Sequence, residues 1–317
     1  MVAGAGLFDR CQLAHQRRMY GLRIFNPMDA PRTGGSADTL SPDRETFIWQ
    51  PSRYPAPAPA DRRAPVTHRM LVDTAGRVVL AGDWHGNSGV AVQAIHAAAD
   101  AGAAGILHLG DFGIWPGRAG KAYLFNVNRA LARTNLWLAF IDGNHEDHDQ
   151  IDSLPIDAMG VRPVREHILH LPRGFRWTWH GKTWLALGGA VSLDQRQRTP
   201  GIDWWPQERI SMPTLDRVIN DGAADFMVTH DVPAGVDVPG LDDRLWIKSA
   251  LRDAYQHREG LRTVVEAVRP AKLWHGHMHV AYSREIQHDG WTCVVQGLGA
   301  DVNGLADNMV LIDPANP

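Results

Sequence analysis

Between residues 77 and 312 the chain repeats one local pattern. A short apolar run that reads as a strand is followed by a few residues rich in Gly, Asp, Asn and His, and then by a helix or another strand. Residues 77–81, 106–109, 136–141, 226–229 and 273–275 are such runs. A short stretch that is apolar throughout and bounded by turn residues is expected of a strand buried on both faces. Helical patterns occupy 88–101, with Ser88 as a plausible N-cap, 121–133, and 251–269 with a possible break near Gly260. Strand, helix and strand in alternation imply an open α/β sheet with parallel neighbours. In the middle, Phe175, Trp177 and Trp179 alternate with polar residues, His180-Gly181 supplies a turn, and residues 184–187 return. That pattern predicts an antiparallel hairpin with one buried face. Residues 293–296 and 309–312 read as closing strands.

Each of the five apolar strands ends in side chains that can hold a metal. In chain order these ends are Gly82-Asp83-Trp84-His85-Gly86-Asn87, Gly110-Asp111-Phe112-Gly113, Gly143-Asn144-His145-Glu146, Thr229-His230-Asp231 and Gly276-His277-Met278-His279. Taken singly, an Asp after a strand usually caps a helix, and Asn-His is ordinary turn chemistry. Five in succession are different, because ligands bind at the carboxyl ends of strands in such sheets, so the five can converge on one site. The glycines permit sharp turns and close approach of side chains around a small ion. With 16 His and only 2 Cys, Cys11 and Cys293, the chain offers nitrogen and oxygen ligands rather than a thiolate site or a disulfide framework.

The ordered set resembles the calcineurin-like metallophosphoesterase superfamily, whose signature is Asp-x-His, Gly-Asp, Gly-Asn-His-Asp/Glu, a lone His and Gly-His-x-His. The match spans about residues 77–282. The resemblance implies a four-layer α/β/β/α sandwich with mixed sheets and two divalent metal ions, Mn first among Mn, Fe, Zn and Ni. It implies that Asp83, His85 and His279 hold one metal, that Asn144, His230 and His277 hold the other, and that Asp111 bridges them. A bridging carboxylate suits cations about 3.5–4 Å apart, a spacing that clamps an in-line displacement at phosphorus by a bridging hydroxide. His145 is, by the same resemblance, the residue that contacts the phosphate and protonates the leaving oxygen, a role suited to imidazole.

Two motifs look like the phosphoprotein phosphatase branch, but its other marks are missing. Ile114, Trp115 and Pro116 stand where that branch has Asp-Arg-Gly, and Asp142 stands where it has an Arg before Gly-Asn-His. Glu146 or Asp147 is a candidate to orient His145. The loop 188–210 carries Arg196, Arg198, Trp204, Trp205 and Glu208, and Arg196 or Arg198 is expected to supply the missing phosphate contact. The competing reading packs the Trp pair onto the body and leaves both arginines in water. His108 and His275 read as structural, and His148, His167, His170, His180, His257 and His288 as surface or packing residues.

Residues 1–68 differ in kind, with eight prolines and the run Pro55-Ala-Pro-Ala-Pro-Ala. They read as an extended, partly disordered Pro-rich arm ahead of a phosphoesterase domain at 69–317, with Phe47, Ile48 and Trp49 as possible anchors. No signal-peptide pattern or membrane-spanning run is present, which predicts a cytoplasmic protein with no membrane partner. The net charge of -3 and the lack of a basic run weigh against long nucleic acid as a partner. The expected activity is therefore hydrolysis of a small phosphate monoester or diester. The alternatives are a nuclease or cyclic-nucleotide phosphodiesterase, a phosphoprotein phosphatase, and a non-catalytic scaffold of the same fold.

Overall fold

A computed structural model describes residues 70, 76–241 and 246–317, and the Pro-rich arm lies outside the described residues. The central strands are β1 (Val78–Ala81), β2 (Gly105–His108) and β3 (Trp137–Phe140), every residue of each buried. They are followed by β4 (Arg162–Arg165) and β5 (Ile168–His170), the hairpin β6 (Arg176–Trp179) and β7 (Lys182–Leu187), and then β8 (Phe226–Thr229) and β9 (Lys272–His275). The last three are β10 (Tyr282–His288), β11 (Trp291–Gly297) and β12 (Met309–Ile312).

These strands form two six-stranded sheets, in the orders β12-β1-β2-β3-β5-β4 and β10-β11-β9-β8-β7-β6. Each sheet has four parallel strands in its middle and an antiparallel strand at either edge. Helices α1 (Ser88–Asp100) and α2 (Gly117–Thr134) cover the first sheet, and α4 (Met212–Asn220) and α5 (Lys248–Val268) cover the second. The short α3 (His148–Ser153) and α6 (Leu305–Asn308) belong to connections.

Side-chain alternation along the strands makes three cores from these four layers. Val79, Ile106 and Leu138 face α1 and α2, while Val78, Leu80, Leu107 and Ala139 face the other sheet. The space between the sheets is filled largely by indoles. Trp177, Trp179, Trp184 and Trp274 pack there, with Trp184 and Trp274 stacked at 5.5 Å between ring centroids. Large flat rings suit a gap of about 10 Å between sheet backbones.

Local sequence explains the helices that flank the site. On α1, Ala91, Ala94, Ile95 and Ala98 form a buried stripe at helical spacing. Its cap is Asn87 rather than Ser88, because the Asn87 side chain accepts hydrogen bonds from the Gly89 and Val90 amides. Helix α5 runs through Gly260 without a break. A Cβ at Gly260 would come within 2.9 Å of Leu215 Cδ1, so glycine there lets α4 approach α5. Among the described residues no helix is long and apolar enough to cross a membrane.

Candidate metal centre

The five strand-end loops bring their side chains together. Donor atoms of Asp83, His85, Asp111 and His279 all lie within 4.8 Å of one another, and so do those of Asp111, His230 and His277. Asp111 is common to both groups. Its Oδ2 is 3.4 Å from His85 Nε2, and its Oδ1 is 3.4 Å from His230 Nε2. Asp83 Oδ2 is 2.8 Å from His279 Nε2, and Asn144 Oδ1 is 3.1 Å from His230 Nε2.

The backbone is bent to allow this crowding. His85, Asp111, His277 and His279 all sit at positive φ, between 45° and 61°. Non-glycine residues hold that conformation at a cost, and such strain persists where surrounding structure dictates it, commonly at functional sites. Close approach is equally tight at Gly143, where a Cβ would lie 2.1 Å from Asp111 Oδ1. Any side chain at Gly143 would therefore displace the shared carboxylate.

A second set of contacts fixes which atoms face inward. His230 Nδ1 is 2.7 Å from the Leu109 carbonyl, an acceptor only, so Nδ1 carries a proton and Nε2 is the ring nitrogen turned toward Asp111. His85 is held the same way, its Nδ1 2.9 Å from Asp301 Oδ1. Asn144 Nδ2 donates to Ser192 Oγ at 3.0 Å, which leaves Oδ1 pointing toward the shared Asp111 region. Ser192 is fixed in turn, since Glu208 Oε1 accepts its amide at 2.9 Å and Glu208 Oε2 its hydroxyl at 2.5 Å. Burial pushes the Glu208 carboxyl up to about 7 against those hydrogen bonds.

The electrostatics suit cations. Burial opposes ionisation of Asp83, yet His279 beside it brings its carboxyl down to about 2. Asp111 is likewise held well below the usual range, because the surrounding imidazoles of His230 and His145 outweigh burial. His230 moves the other way, up to about 10, since Asp111 and Asp83 overcome its burial. Asp111 Oδ2 is buried and accepts no hydrogen bond from the chain. A concentration of buried carboxylate and imidazole donors around one oxygen left without a donor fits a pair of divalent ions with mixed nitrogen and oxygen ligation.

His145 stands at the edge of this cluster, its Nε2 4.0 Å from Asp111 Oδ2. Burial, and next the charge of Arg198, push its pKa well below the ordinary histidine value. Arg198 is thus the loop arginine whose charge reaches the site. Asp194 braces it, both carboxylate oxygens lying 2.9 Å from Arg198 Nε, and Arg198 Nη1 donates to the Asp203 carbonyl. Arg196 is exposed and donates to Ser249 Oγ on α5. Trp205 is buried with Nε1 donating to Asp149, so that half of the Trp pair packs against the body.

Glu146 and Asp147 are committed elsewhere. Glu146 accepts hydrogen bonds from the amides of Phe112, Gly113 and Ile114, which ties the Asp111 loop to the Asn144 loop. Asp147 caps α3 through the Gln150 amide. Two histidines read as surface or packing residues also prove to be buried and acid-bound. His170 lies 3.3 Å from Asp142, and His257 lies 3.0 Å from Asp231. Asp301, Ser192 and the support given by Glu208 carry no motif, so local sequence gave no signal for them.

No protein-family model matches the chain, and neither does any curated protein. Solved structures resemble it at low identity. One is TT1561 of Thermus thermophilus, 14% identical, covering 76% of this chain and all of its own, with a TM-score of 0.44. Another is a dimetal phosphatase from Danio rerio, 13% identical, covering 75% of this chain and 89% of its own, with a TM-score of 0.46. The two mixed six-stranded sheets with flanking helices agree with the four-layer sandwich expected from the sequence motifs. The fold is consistent with that of the calcineurin-like metallophosphoesterases.

Proposed function

We propose that the chain is a metal-dependent phosphoesterase that hydrolyses a small phosphate monoester or diester. The observation that carries this reading is the sharing of one buried carboxylate, Asp111, by two groups of donors, with His145 at 4.0 Å from it. Asp83, His85 and His279 would hold one divalent ion, and Asn144, His230 and His277 the other. Such ions, when bound, supply Lewis-acid activation of the phosphoryl group and of water.

The chain's own residues do the rest. Asp301 and the Leu109 carbonyl hold His85 and His230 in a fixed orientation, so little reorganisation remains when a substrate arrives. Arg198, held in place by Asp194, draws in the phosphate oxygens by its charge. His145 hydrogen-bonds the phosphoryl group and gives its proton to the leaving oxygen. Burial and Arg198 lower its pKa, and the arriving phosphate charge restores its hold on that proton. A complete donor set together with His145 favours catalysis over a non-catalytic scaffold. The lack of a basic run favours small substrates over long nucleic acid.

The test is metal analysis of the purified protein, followed by hydrolysis of p-nitrophenyl phosphate and bis-p-nitrophenyl phosphate with Mn, Fe, Zn and Ni. Asp111→Asn should remove activity together with metal. His145→Ala should keep the metal and lower kcat by about 10²–10⁴-fold. Lack of turnover on both substrates with every metal would refute the enzymatic reading.

A further inference from the structure

A second cleft, of about 320 Å³, shares no lining residue with the metal donors. It lies where α3, the segment after β5 and the segment before α4 meet, and Asp142, His148, Arg162, His170, Arg173 and Arg209 line it. We propose that this cleft is a binding site for a small molecule bearing a phosphate-like oxyanion.

The charges leave the cleft cationic. Asp142 is already neutralised, because Arg173 Nε and Nη2 both donate to its Oδ2 and His170 Nε2 faces its Oδ1. Arg173 is largely committed, Nη2 also donating to the carbonyls of Gln207 and Glu208 and Nη1 to that of Arg209. Asp152 is 57% exposed and lies 3.6 Å from Arg162, a pair well screened by water. Arg209 has no ion pair among the described residues and supplies an uncommitted planar fork, the geometry that matches a phosphate oxygen pair. At the same edge α4 begins at Ser211, whose Oγ caps the Thr214 amide, and a helix N-terminus adds further positive potential.

Two buried histidines border the cleft. His148 and His170 are 3% and 2% exposed, and each has one buried ring nitrogen with no hydrogen bond, Nε2 in His148 and Nδ1 in His170. Both rings border the cleft, but these nitrogens are themselves shielded from it, so the oxyanion is drawn by the guanidinium groups. Burial lowers the pKa of both, His148 to about 4, which keeps them neutral. His170 Nε2 donates to Asp142, so its Nδ1 is an acceptor and wants a donor. A phosphate group would present its oxygens to Arg209 and Arg162. The volume is at the lower end of the range for small-molecule pockets, about 300–1,000 Å³.

Calorimetric titration of the full-length protein with inorganic phosphate and with glycerol 3-phosphate tests this. In Asp111→Asn, where the metal centre is disabled and turnover is absent, phosphate should still bind. Adding Arg209→Ala should weaken that binding about tenfold or more, with Arg209→Lys in between. Equal affinity for the two probes would assign free phosphate as the ligand, and tighter binding of the ester would assign an organic phosphate. The proposal is overturned if Asp111→Asn binds neither probe, or if Arg209→Ala leaves the affinity unchanged. Arg209 is exposed, so its replacement should leave the fold intact, which a thermal unfolding curve would verify.

Discussion

Replacing Asp301 by Ala isolates the support of a proposed metal ligand from the ligand itself. Asp301 is 9% exposed, and its Oδ1 lies 2.9 Å from His85 Nδ1 while its Oδ2 accepts from Asn87 Nδ2 at 3.1 Å. Without it the His85 ring loses the partner that fixes its tautomer and its rotation, and the distance of 3.4 Å from Nε2 to Asp111 Oδ2 is no longer enforced. Removal of such an outer partner typically lowers metal affinity or activity about 10–100-fold, roughly 1.4–2.7 kcal/mol. Chelator competition should show that loss for the ion proposed at His85 and not for the one proposed at His230, because His230 is oriented separately by Leu109. Asp301→Asn keeps an acceptor oxygen and should fall between wild type and Ala. The expected change in thermal stability is small, since Asn87 still caps α1 through its own oxygen. Metal affinity within twofold of wild type in Asp301→Ala would refute the reasoning.

The two loop arginines should separate kinetically. Arg198→Ala should raise KM by about tenfold or more through loss of a charge-assisted contact, and Arg196→Ala should leave it unchanged. Equal effects in steady-state assays would remove Arg198 from the site. Asp231 is fully buried between His257 and Arg258, so Asp231→Asn should cost about 3–5 kcal/mol in denaturant unfolding by leaving Arg258 unpaired. The same pair sets an acid limit. Burial opposes ionisation of Asp231, but Arg258 and then His277 hold its folded pKa below the unfolded value, so its stabilisation is present above about pH 4 and is lost as pH falls further. Melting temperature should therefore drop below pH 4 in wild type and less steeply in Asp231→Asn.

The strands that position the site were legible because they are buried on both faces and read as apolar runs. Residues 226–229 and 309–312 match β8 and β12 to the residue. Of the four edge strands, β6 and β12 were legible, whereas β4 and β10 were not. β4 contains Pro163 and exposed Arg165, and β10 is largely exposed and polar, so neither carries the apolar signal of a central strand. Glu146 shows the same limit at the site. An acidic residue beside His145 suggests an orienting partner, yet its carboxylate turns to three backbone amides of another loop.

By itself the sequence determined the donor types, their order, and their places at strand ends. That is local information, since a parallel strand fixes which end its next loop occupies and glycine fixes how sharply the loop turns. Only the tertiary structure decided which atoms of those donors face inward. Asp301 is 216 residues from His85, and Ser192 is 48 from Asn144. Such pairings arise from packing distant segments around one buried charge, and no local periodicity encodes them. The structure likewise turned the charge of Arg198, and not that of Arg196, toward His145, and gathered Arg162 and Arg209 with two buried histidines into a cleft that no motif marks.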